Sequence, residues 1–228
     1  MSKLKTRKIL VAFFAFVAIF IVAITDQHNY SPETAYIQQE TNIQSPLAVD
    51  VLNTLPVKGR APKTGYSRDE FGKGWGEINN CDTRNVILRR DLTDTTMDGC
   101  LVLSGTLKDP YTNKTIDFAR GSNSSAIQID HVVALSDAWQ KGAQSLDLAT
   151  RKQFANDPIN LLAVDGPANQ QKSDGDAATW LPPNKSFRCA FITRQISVKH
   201  KYQLWITSAE KEAMIKILSG CDLQRILE

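Results

Sequence analysis

The sequence predicts a mixed α+β domain in which short helices outnumber short strands. Three observations support this fold class. Brief apolar runs alternate with segments whose apolar residues recur at helical spacing. Turn formers and helix-capping residues separate these segments. Four cysteines, an even number, follow the N-terminal apolar run and indicate two disulfides.

The N-terminus carries a targeting pattern. Residues 1–8 contain four Lys or Arg and no acid, and residues 9–24 are an unbroken apolar run. This pattern is typical of a secretory signal. The run is shorter than the roughly 20 residues that span a bilayer, but no clear cleavage site follows it. Residues 1–25 are therefore either a signal peptide or an N-terminal membrane anchor. In both cases the basic residues place the rest of the chain outside the cytoplasm, so we expect a secreted or cell-surface protein.

A polar segment separates this N-terminus from the domain. Residues 26–60 are rich in Gln, Asn, Thr, Ser and Pro, which predicts a tether. Within it, residues 45–55 are compatible with a short docking helix. The remaining part, 61–228, is about 170 residues long and sufficient for one domain with its own core.

The first half of the domain predicts a helix, a hairpin and a strand. Residues 81–92 favour a short helix capped by Asp82, although the Val-Ile-Leu segment is also compatible with a strand. Residues 100–120 predict a β-hairpin around the turn DPYTNK. Residues 126–130 alternate as a strand does and lead directly to His131.

The second half is mainly helical. Apolar spacing and caps predict further helices at residues 132–144, 146–157, 168–174, 186–205 and 207–220. Thr207 and Glu210 have the spacing of a capping box in the last of these. A four-residue apolar strand, LLAV, follows Asn160, and a turn is predicted at 165–167.

The cysteines favour one disulfide pattern without fixing it. Pairing Cys81 with Cys100 and Cys189 with Cys221 closes two local loops, but four cysteines permit three connectivities. A zinc site is disfavoured because the sequence has no C-x-x-C and no neighbouring Cys/His pair.

The overall charge does not predict a broad basic field. The net charge is +3 and the pI about 8.6, but residues 1–8 contribute four positive charges, so the exported part is close to neutral. Two local basic clusters remain, and an ordinary solvated face is the alternative for both. They comprise Arg84, Arg89 and Arg90, and Lys185, Arg188, Arg194, Lys199 and Lys201.

One set of polar residues has the chemistry of a catalytic site. Asp130 and His131 close one predicted strand, Asn160 opens the next, and Asn169 lies at the start of the following helix. A histidine can accept a proton from water near neutral pH. Carboxylate and amide oxygens suit Mg²⁺ better than zinc. A base beside such oxygens is what metal-assisted phosphodiester hydrolysis requires. Caps and turns are the alternative for both asparagines.

Several segments then resemble a known family in order along the chain. DHVVALSDAW, NLLAV and NQQKSD resemble the signature of the HNH nucleases, whose core is a ββα-metal motif. The wider stretch, roughly residues 66–221, resembles the bacterial HNH proteins related to the C-terminal domain of GmrSD-type restriction enzymes. RNVILRRDL, GCLVLSGTLKDPYT and FANDPINLLAVDGPANQQKSDGDAATWLPPN carry this wider resemblance.

The resemblance implies a role for each matching residue. His131 would be the general base, and Asp130 and Asn169 would be metal ligands. Asn160 would hold the loop of the motif and thereby orient His131. Lys172 would contact substrate phosphate, with an ordinary exposed helix lysine as the alternative. The fold would be an HNH ββα-metal core with additional helices and a β-hairpin.

The resemblance also implies an activity. It is the hydrolysis of DNA, with RNA as an alternative substrate, leaving 5′-phosphate and 3′-hydroxyl ends. The metal would be Mg²⁺, with Mn²⁺ or Ca²⁺ as alternatives. No recognition module is evident, which favours low sequence specificity. Arg84, Arg188 and Arg194 are further candidates for phosphate contact. A non-catalytic surface protein that binds nucleic acid or a partner through the same fold is the alternative function.

Overall fold

The computed structural model describes residues 44–121 and 123–228. The predicted signal or anchor and the first part of the tether lie outside these residues. The described chain forms a compact unit, Ser45–Glu228. The predicted domain boundary at residue 61 therefore lies inside this unit. Across the described ranges, no helix is both long enough and apolar enough to cross a membrane.

The unit combines helices with three small antiparallel sheets, which agrees with the predicted α+β class. The α-helices are α1 (Ala48–Thr54), α2 (Thr83–Asp91), α3 (Leu135–Gln140), α4 (Leu148–Asn156), α5 (Gly166–Lys172), α6 (Arg188–Lys201) and α7 (Ser208–Leu218). Short 3₁₀ helices span Arg68–Phe71, Ala143–Ser145 and Lys185–Phe187. The strands are β1 (Glu77–Ile78), β2 (Cys81–Asp82), β3 (Leu92–Asp98), β4 (Leu101–Lys108), β5 (Thr115–Ala119), β6 (Ile127–His131) and β7 (Leu161–Asp165).

The short helix predicted within residues 45–55 is confirmed as α1. Ala48 and Leu52 are fully buried in a cluster that includes Phe191 and Ile196 of α6. This packing ties the end of the predicted tether to the core, because leaving these side chains in water would forgo the free energy of apolar burial.

The predicted hairpin is confirmed as β4 and β5, which pair from Ser104↔Ala119 to Lys108↔Thr115. The sequence did not predict β3, which adds to β4 and completes the order β3-β4-β5. Its sequence, LTDTTMD, is mostly polar and its residues are mostly exposed, so it lacks a buried apolar face that would mark a strand.

Strands β6 and β7 form a separate antiparallel pair at the centre of the unit. Asp130 pairs with Leu162 and His131 with Leu161. All five residues of β7 are buried. This explains the continuous apolar run LLAV, since a strand covered on both faces has no solvent side to mark with polar residues.

Helix α5 begins directly after β7, so the separate turn predicted at residues 165–167 is wrong. Asp165 caps the helix by accepting a hydrogen bond from the Ala168 amide at 2.8 Å, and Pro167 lies in the first turn. Gly166 permits the close passage, because a Cβ there would lie 2.5 Å from the Ser125 carbonyl oxygen.

Helix ends follow the predicted caps at two other places. Asp82 accepts a hydrogen bond from the Asn85 amide, which confirms the helical interpretation of residues 81–92. Thr207 and Glu210 form the predicted capping box of α7. Helix α3 is shorter than predicted and begins at Leu135, because the chain bends after His131 and the amides of Val132 and Val133 are bonded to Asn160 instead of forming a helical turn.

Both predicted disulfides are present. Cys81 is joined to Cys100 and Cys189 to Cys221, with Cα–Cα distances of 5.5 and 5.9 Å. The second bond links the beginning of α6 to the residues that follow α7. The local pairing that the spacing favoured is therefore the one that forms.

One predicted surface cation lies in the interior. Lys199 has no exposed side-chain area, and its ammonium lies 2.9 Å from Glu210 and 3.1 Å from Asp137. Burial alone would lower the pKa of Lys199, but these two carboxylates raise it above its ordinary value. Lys141 is also buried, at 2.7 Å from both Asp137 and Asp176. This buried ion cluster joins α3, α6 and α7.

Candidate active site

His131 lies at the end of β6, with 6% of its surface exposed. Its Nε2 is 2.9 Å from the carbonyl oxygen of Ala155 in α4. Because a carbonyl can only accept a hydrogen bond, Nε2 carries the ring proton and Nδ1 retains its lone pair. Trp75 stacks on the imidazole, with the ring centroids 5.8 Å apart and an angle of 11° between the planes.

The surroundings of His131 keep the ring neutral. Burial lowers the pKa of His131 from 6.5 to about 3, while the Ala155 carbonyl opposes this shift. The positive charges of Arg68 and Lys172 lower the pKa further. The imidazole is therefore in the form that can accept a proton at neutral pH.

Asn160 fixes the segment that follows His131. It is fully buried, and its Oδ1 accepts a hydrogen bond from the Val133 amide at 2.8 Å. Its Nδ2 is 3.3 Å from the Val133 carbonyl oxygen, and its own carbonyl oxygen accepts from the Val132 amide at 2.8 Å. These bonds hold the end of β6 against the start of β7. The geometry is consistent with the predicted orienting role.

Asp130 is buried and bonded on both carboxylate oxygens. The Lys172 ammonium lies 3.0 Å from Oδ1, and the Tyr111 hydroxyl donates to Oδ2. Burial raises the pKa of Asp130, whereas the Lys172 charge and the Tyr111 hydrogen bond lower it. The two partners thus stabilise the ionised carboxylate in a site that would otherwise favour its neutral form.

Lys172 is bonded to other groups of the protein and does not face the solvent. Its side chain has no exposed area, and its ammonium also donates to the His131 carbonyl oxygen at 2.8 Å. The ammonium therefore connects α5 to both Asp130 and the main chain of His131. This arrangement favours a positioning role over the predicted contact with substrate phosphate.

The turn between β4 and β5 supplies the other partner of Asp130. Tyr111 is fully buried in this turn and packs edge-on against Trp180 and Phe191. Asp109, in the same turn, accepts from the Asp165 amide at 2.9 Å. The hairpin therefore holds Asp130 directly and also holds the cap of α5.

Asn169 lies on α5 and is partly exposed. Its Nδ2 donates to Gln128 Oε1 at 3.0 Å. Gln128 and Asp130 are two residues apart on β6 and therefore on the same face of the strand. With its amide nitrogen bonded to Gln128, Asn169 keeps its Oδ1 as a free acceptor among the described contacts.

A cavity of about 270 Å³ brings the predicted residues together. Its lining includes Asp130, His131 and Asn169, together with Arg68 and Ser173. A second cavity of about 110 Å³ shares His131 and Arg68 and also contacts Trp75. Four central residues, Asp130, His131, Asn160 and Asn169, therefore form one site. Three of them line the larger cavity, and Asn160 is bonded to the main chain that directly follows His131.

The donor set fits a hard cation held by few protein ligands. Each oxygen of Asp130 has one hydrogen-bond partner and can accept another, and Asn169 adds an amide oxygen. Such oxygens suit Mg²⁺. Within residues 44–228, apart from residue 122, no group of three His, Cys, Asp or Glu is placed to hold a metal ion. A cation bound here would therefore take most of its ligands from water and substrate.

The three arginines predicted to contact phosphate lie elsewhere. Arg188 donates to the Pro182 carbonyl oxygen at 2.8 Å, and Arg194 donates to that of Ile159 at 2.7 Å. Arg84 is partly buried on α2. None of these arginines is among the described residues lining the two cavities that contain His131. Their contact with substrate stays a prediction.

Sequence reasoning missed four residues of this site. Tyr111 was assigned only to a turn, and Gln128 only to a strand. Arg68 and Trp75 lie before the first element that the sequence predicted in the domain. Their neighbourhood carries one signal, the glycine-rich stretch GKGWG at residues 72–76, in which a single aromatic residue is surrounded by flexible positions.

Comparisons with known proteins identify the family of the chain. The family described as the C-terminal domain of GmrSD restriction endonucleases matches residues 82–217, which include all four central residues. An uncharacterized secreted protein of Arthroderma benhamiae is 41% identical over 177 residues, covering 76% of this chain and 84% of that protein. No solved structure matches the chain. The chain belongs to the family of the GmrSD restriction endonuclease C-terminal domain.

Proposed function

We propose that the protein is an exported, metal-dependent endonuclease with a ββα-metal core of the HNH type. In this proposal β6 and β7 are the two strands and α5 is the helix. The observation that carries it is the joint placement of a neutral His131, the Asp130 carboxylate and the Asn169 amide around one cavity.

His131 would act as the general base. Its Nδ1 accepts a proton from water while the water oxygen forms a bond to phosphorus. The bond between phosphorus and the 3′ oxygen then breaks, and the leaving oxygen takes a proton from solvent. This leaves 5′-phosphate and 3′-hydroxyl ends. Burial keeps His131 neutral but also makes it a weaker base, so in this proposal the negative charge of the bound phosphate stabilises the imidazolium that forms.

Asp130 and Asn169 would hold the cation, most simply Mg²⁺, with Mn²⁺ or Ca²⁺ as alternatives. When bound, such an ion neutralises charge on the phosphate and on the leaving oxygen. The other residues serve positioning. Lys172 fixes the Asp130 carboxylate, and Asn160 fixes the end of β6.

The export part of the proposal rests on independent features. The N-terminal sequence has the pattern of a signal or anchor. Both disulfides are formed, which is typical of proteins outside the cytoplasm. The relative from Arthroderma benhamiae is named as a secreted protein.

A cleavage assay tests the proposal. The protein, produced with its disulfides formed, is incubated with plasmid DNA and with RNA in the presence of Mg²⁺, Mn²⁺ or Ca²⁺. We expect cleavage that EDTA abolishes and that is lost in His131→Ala. His200→Ala is the matched control, since His200 is exposed on α6 and should not affect the rate. Asp130→Asn and Asn169→Ala should need much more metal for half-maximal activity.

Two results would contradict the proposal. Cleavage that is equal in His131→Ala and His200→Ala would remove His131 from the chemistry. Folded wild-type protein that cuts neither DNA nor RNA with any of the three metals would remove the enzyme activity itself.

A non-catalytic binding protein is the second candidate function. One observation favours it: the Lys172 ammonium already compensates the charge of Asp130, so the carboxylate is stable without a metal ion. Binding of nucleic acid that persists in EDTA, with no cleavage under any of the conditions above, would support this alternative.

A further inference from the structure

A groove next to the candidate active site has the features of a nucleobase subsite. Its volume is about 500 Å³, and it is lined by residues 72–76 and by residues of α4. Trp75 belongs both to this groove and to the smaller cavity that contains His131. The Trp75 ring, which also stacks on His131, therefore forms a wall that the groove shares with the cavity containing His131.

The loop that forms one wall is held in place at both ends. Phe71 is buried against Trp139 and Phe154. At the other end the Gly76 amide donates to Asn156 Oδ1 at 2.7 Å. A Cβ on Gly76 would lie 3.0 Å from Asn156 Cγ, so the glycine permits this close approach. The groove is therefore preformed in the folded protein.

The lining combines apolar and cationic side chains. Leu148 is 47% exposed although it is a large aliphatic residue, and the partly exposed ring of Trp75 lies in the same groove. Lys73 and Lys152 are exposed at its edge, against one acid, Asp69. An apolar floor with a positive rim suits a flat, apolar group carried on a negatively charged chain.

We infer that this groove binds an unpaired nucleobase adjacent to the phosphodiester that is cut. The inference rests on the proposed function and narrows its substrate to single-stranded or locally unpaired nucleic acid. A base inside a duplex is stacked on its neighbours and cannot enter such a groove, whereas an unpaired base can stack on an aromatic side chain. Lys73 and Lys152 are placed to bind the neighbouring phosphates of the same strand.

Binding measurements in EDTA test this inference apart from catalysis. Short oligothymidylate and oligouridylate are compared with an abasic deoxyribose-phosphate chain of the same length, and gels check that the chains stay intact. For wild-type protein we expect the base-containing chains to bind about ten-fold more tightly than the abasic chain. Trp75→Ala should remove this difference, and Trp75→Phe should preserve most of it.

Matched variants distinguish the contribution of base stacking to binding from that of charge and from any effect on folding. Lys73→Ala should weaken all chains alike and reduce the slope of log affinity against log salt by about 0.7, as expected for one lost phosphate contact. Lys216→Ala removes an exposed lysine on α7 and should leave both quantities unchanged. Leu148→Asp places an acid in the first turn of α4, where it favours the helix, and should still weaken binding. Val49→Asp, which makes the same kind of change in the first turn of α1, is the control for Leu148→Asp.

The outcomes distinguish the two proposals. Suppose that plasmid or RNA is cut, but Trp75→Ala leaves the affinity for base-containing and abasic chains unchanged or lowers both affinities equally. The groove is then not a base subsite, while the nuclease proposal stands. A preference for duplex over single strands would overturn the inference in the same way. If the folded protein cuts no substrate, the nuclease proposal fails, and if no chain binds either, the base subsite fails with it.

Discussion

Replacing Lys172 with methionine provides a direct test of how the candidate site is held together. The lysine side chain has no exposed area, and its ammonium contacts Asp130 at 3.0 Å and the His131 carbonyl oxygen at 2.8 Å. Methionine is also unbranched and fills much of the same volume. The main effect of Lys172→Met should therefore be the loss of a buried positive charge beside a carboxylate.

The expected cost follows from this burial. Breaking a buried ion pair by removing one partner typically destabilises a protein by about 3–5 kcal/mol. Asp130→Asn should cost a similar amount, because it leaves the ammonium of Lys172 without its counter-ion. The double variant carries no buried charge here, and we expect it to be more stable than either single variant by roughly 2 kcal/mol or more.

Denaturant unfolding of the four proteins measures these differences. The midpoint should shift while the slope against denaturant stays constant. At the metal concentration that suffices for wild type, all three variants should lose most of their cleavage, so that the double variant is stable but nearly inactive. If the losses of the single variants simply add in the double variant, the ion pair does not contribute as the structure indicates.

The pH dependence of Lys172→Met gives a second check with a defined sign. Without Lys172, burial should raise the pKa of Asp130 further above its ordinary value of 3.8. A folded-state pKa above the unfolded value adds stability at low pH, and this stability is lost as the pH rises through the folded pKa. The difference in unfolding free energy between wild type and variant should therefore be smaller at pH 4 than at pH 8.

Three other perturbations have defined outcomes. Asn160→Ala leaves a buried main-chain amide without its acceptor, which should cost about 1–3 kcal/mol in urea unfolding and abolish cleavage; full activity would contradict its orienting role. Burial would raise the pKa of Asp176, but the charge of Lys141 lowers it to about 2. The ionised carboxylate therefore contributes to the unfolding free energy above pH 3.8, and this contribution is lost as the pH falls towards 2. Urea unfolding against pH should show this loss in wild type, and Asp176→Asn should flatten it. Replacing both Cys189 and Cys221 by serine opens a loop closed over a separation of 32 residues and should lower the unfolding free energy by about 3–4 kcal/mol; an unchanged melting temperature would contradict this.

Local sequence patterns were sufficient to predict those elements whose structure is determined by a short segment of the chain. Asp82 and Thr207 cap helices through bonds to amides three residues away. The hairpin follows from turn formers between two apolar runs, and its register needs only neighbouring strands. The disulfides follow from loop closure, since the nearer partners meet first.

Sequence reasoning failed where a side chain finds its partner far along the chain. Lys172 and Lys199 were assigned to the surface because charged residues usually are exposed. Each is instead buried, because carboxylates separated from it by 42 and 62 residues compensate its charge. Tyr111 reaches Asp130 across 19 residues. Local periodicity in the sequence does not indicate such distant pairs. The residues of the motif and their order could therefore be predicted, but the side chains that contact Asp130 could not.

These supporting contacts also set an expectation for the metal. A carboxylate that is already paired with a fixed ammonium attracts a metal cation less strongly than an unpaired carboxylate does, because the ammonium and the cation repel each other. Asp130 therefore suits a site in which the ion binds firmly only together with the phosphate of the substrate, whose negative charge Lys172 does not compensate. The same pair keeps the carboxylate ionised and in position when no substrate is bound. In the proposed mechanism Lys172 would therefore have two effects: it would stabilise the protein before substrate binds, and it would make binding of the metal ion depend on bound nucleic acid.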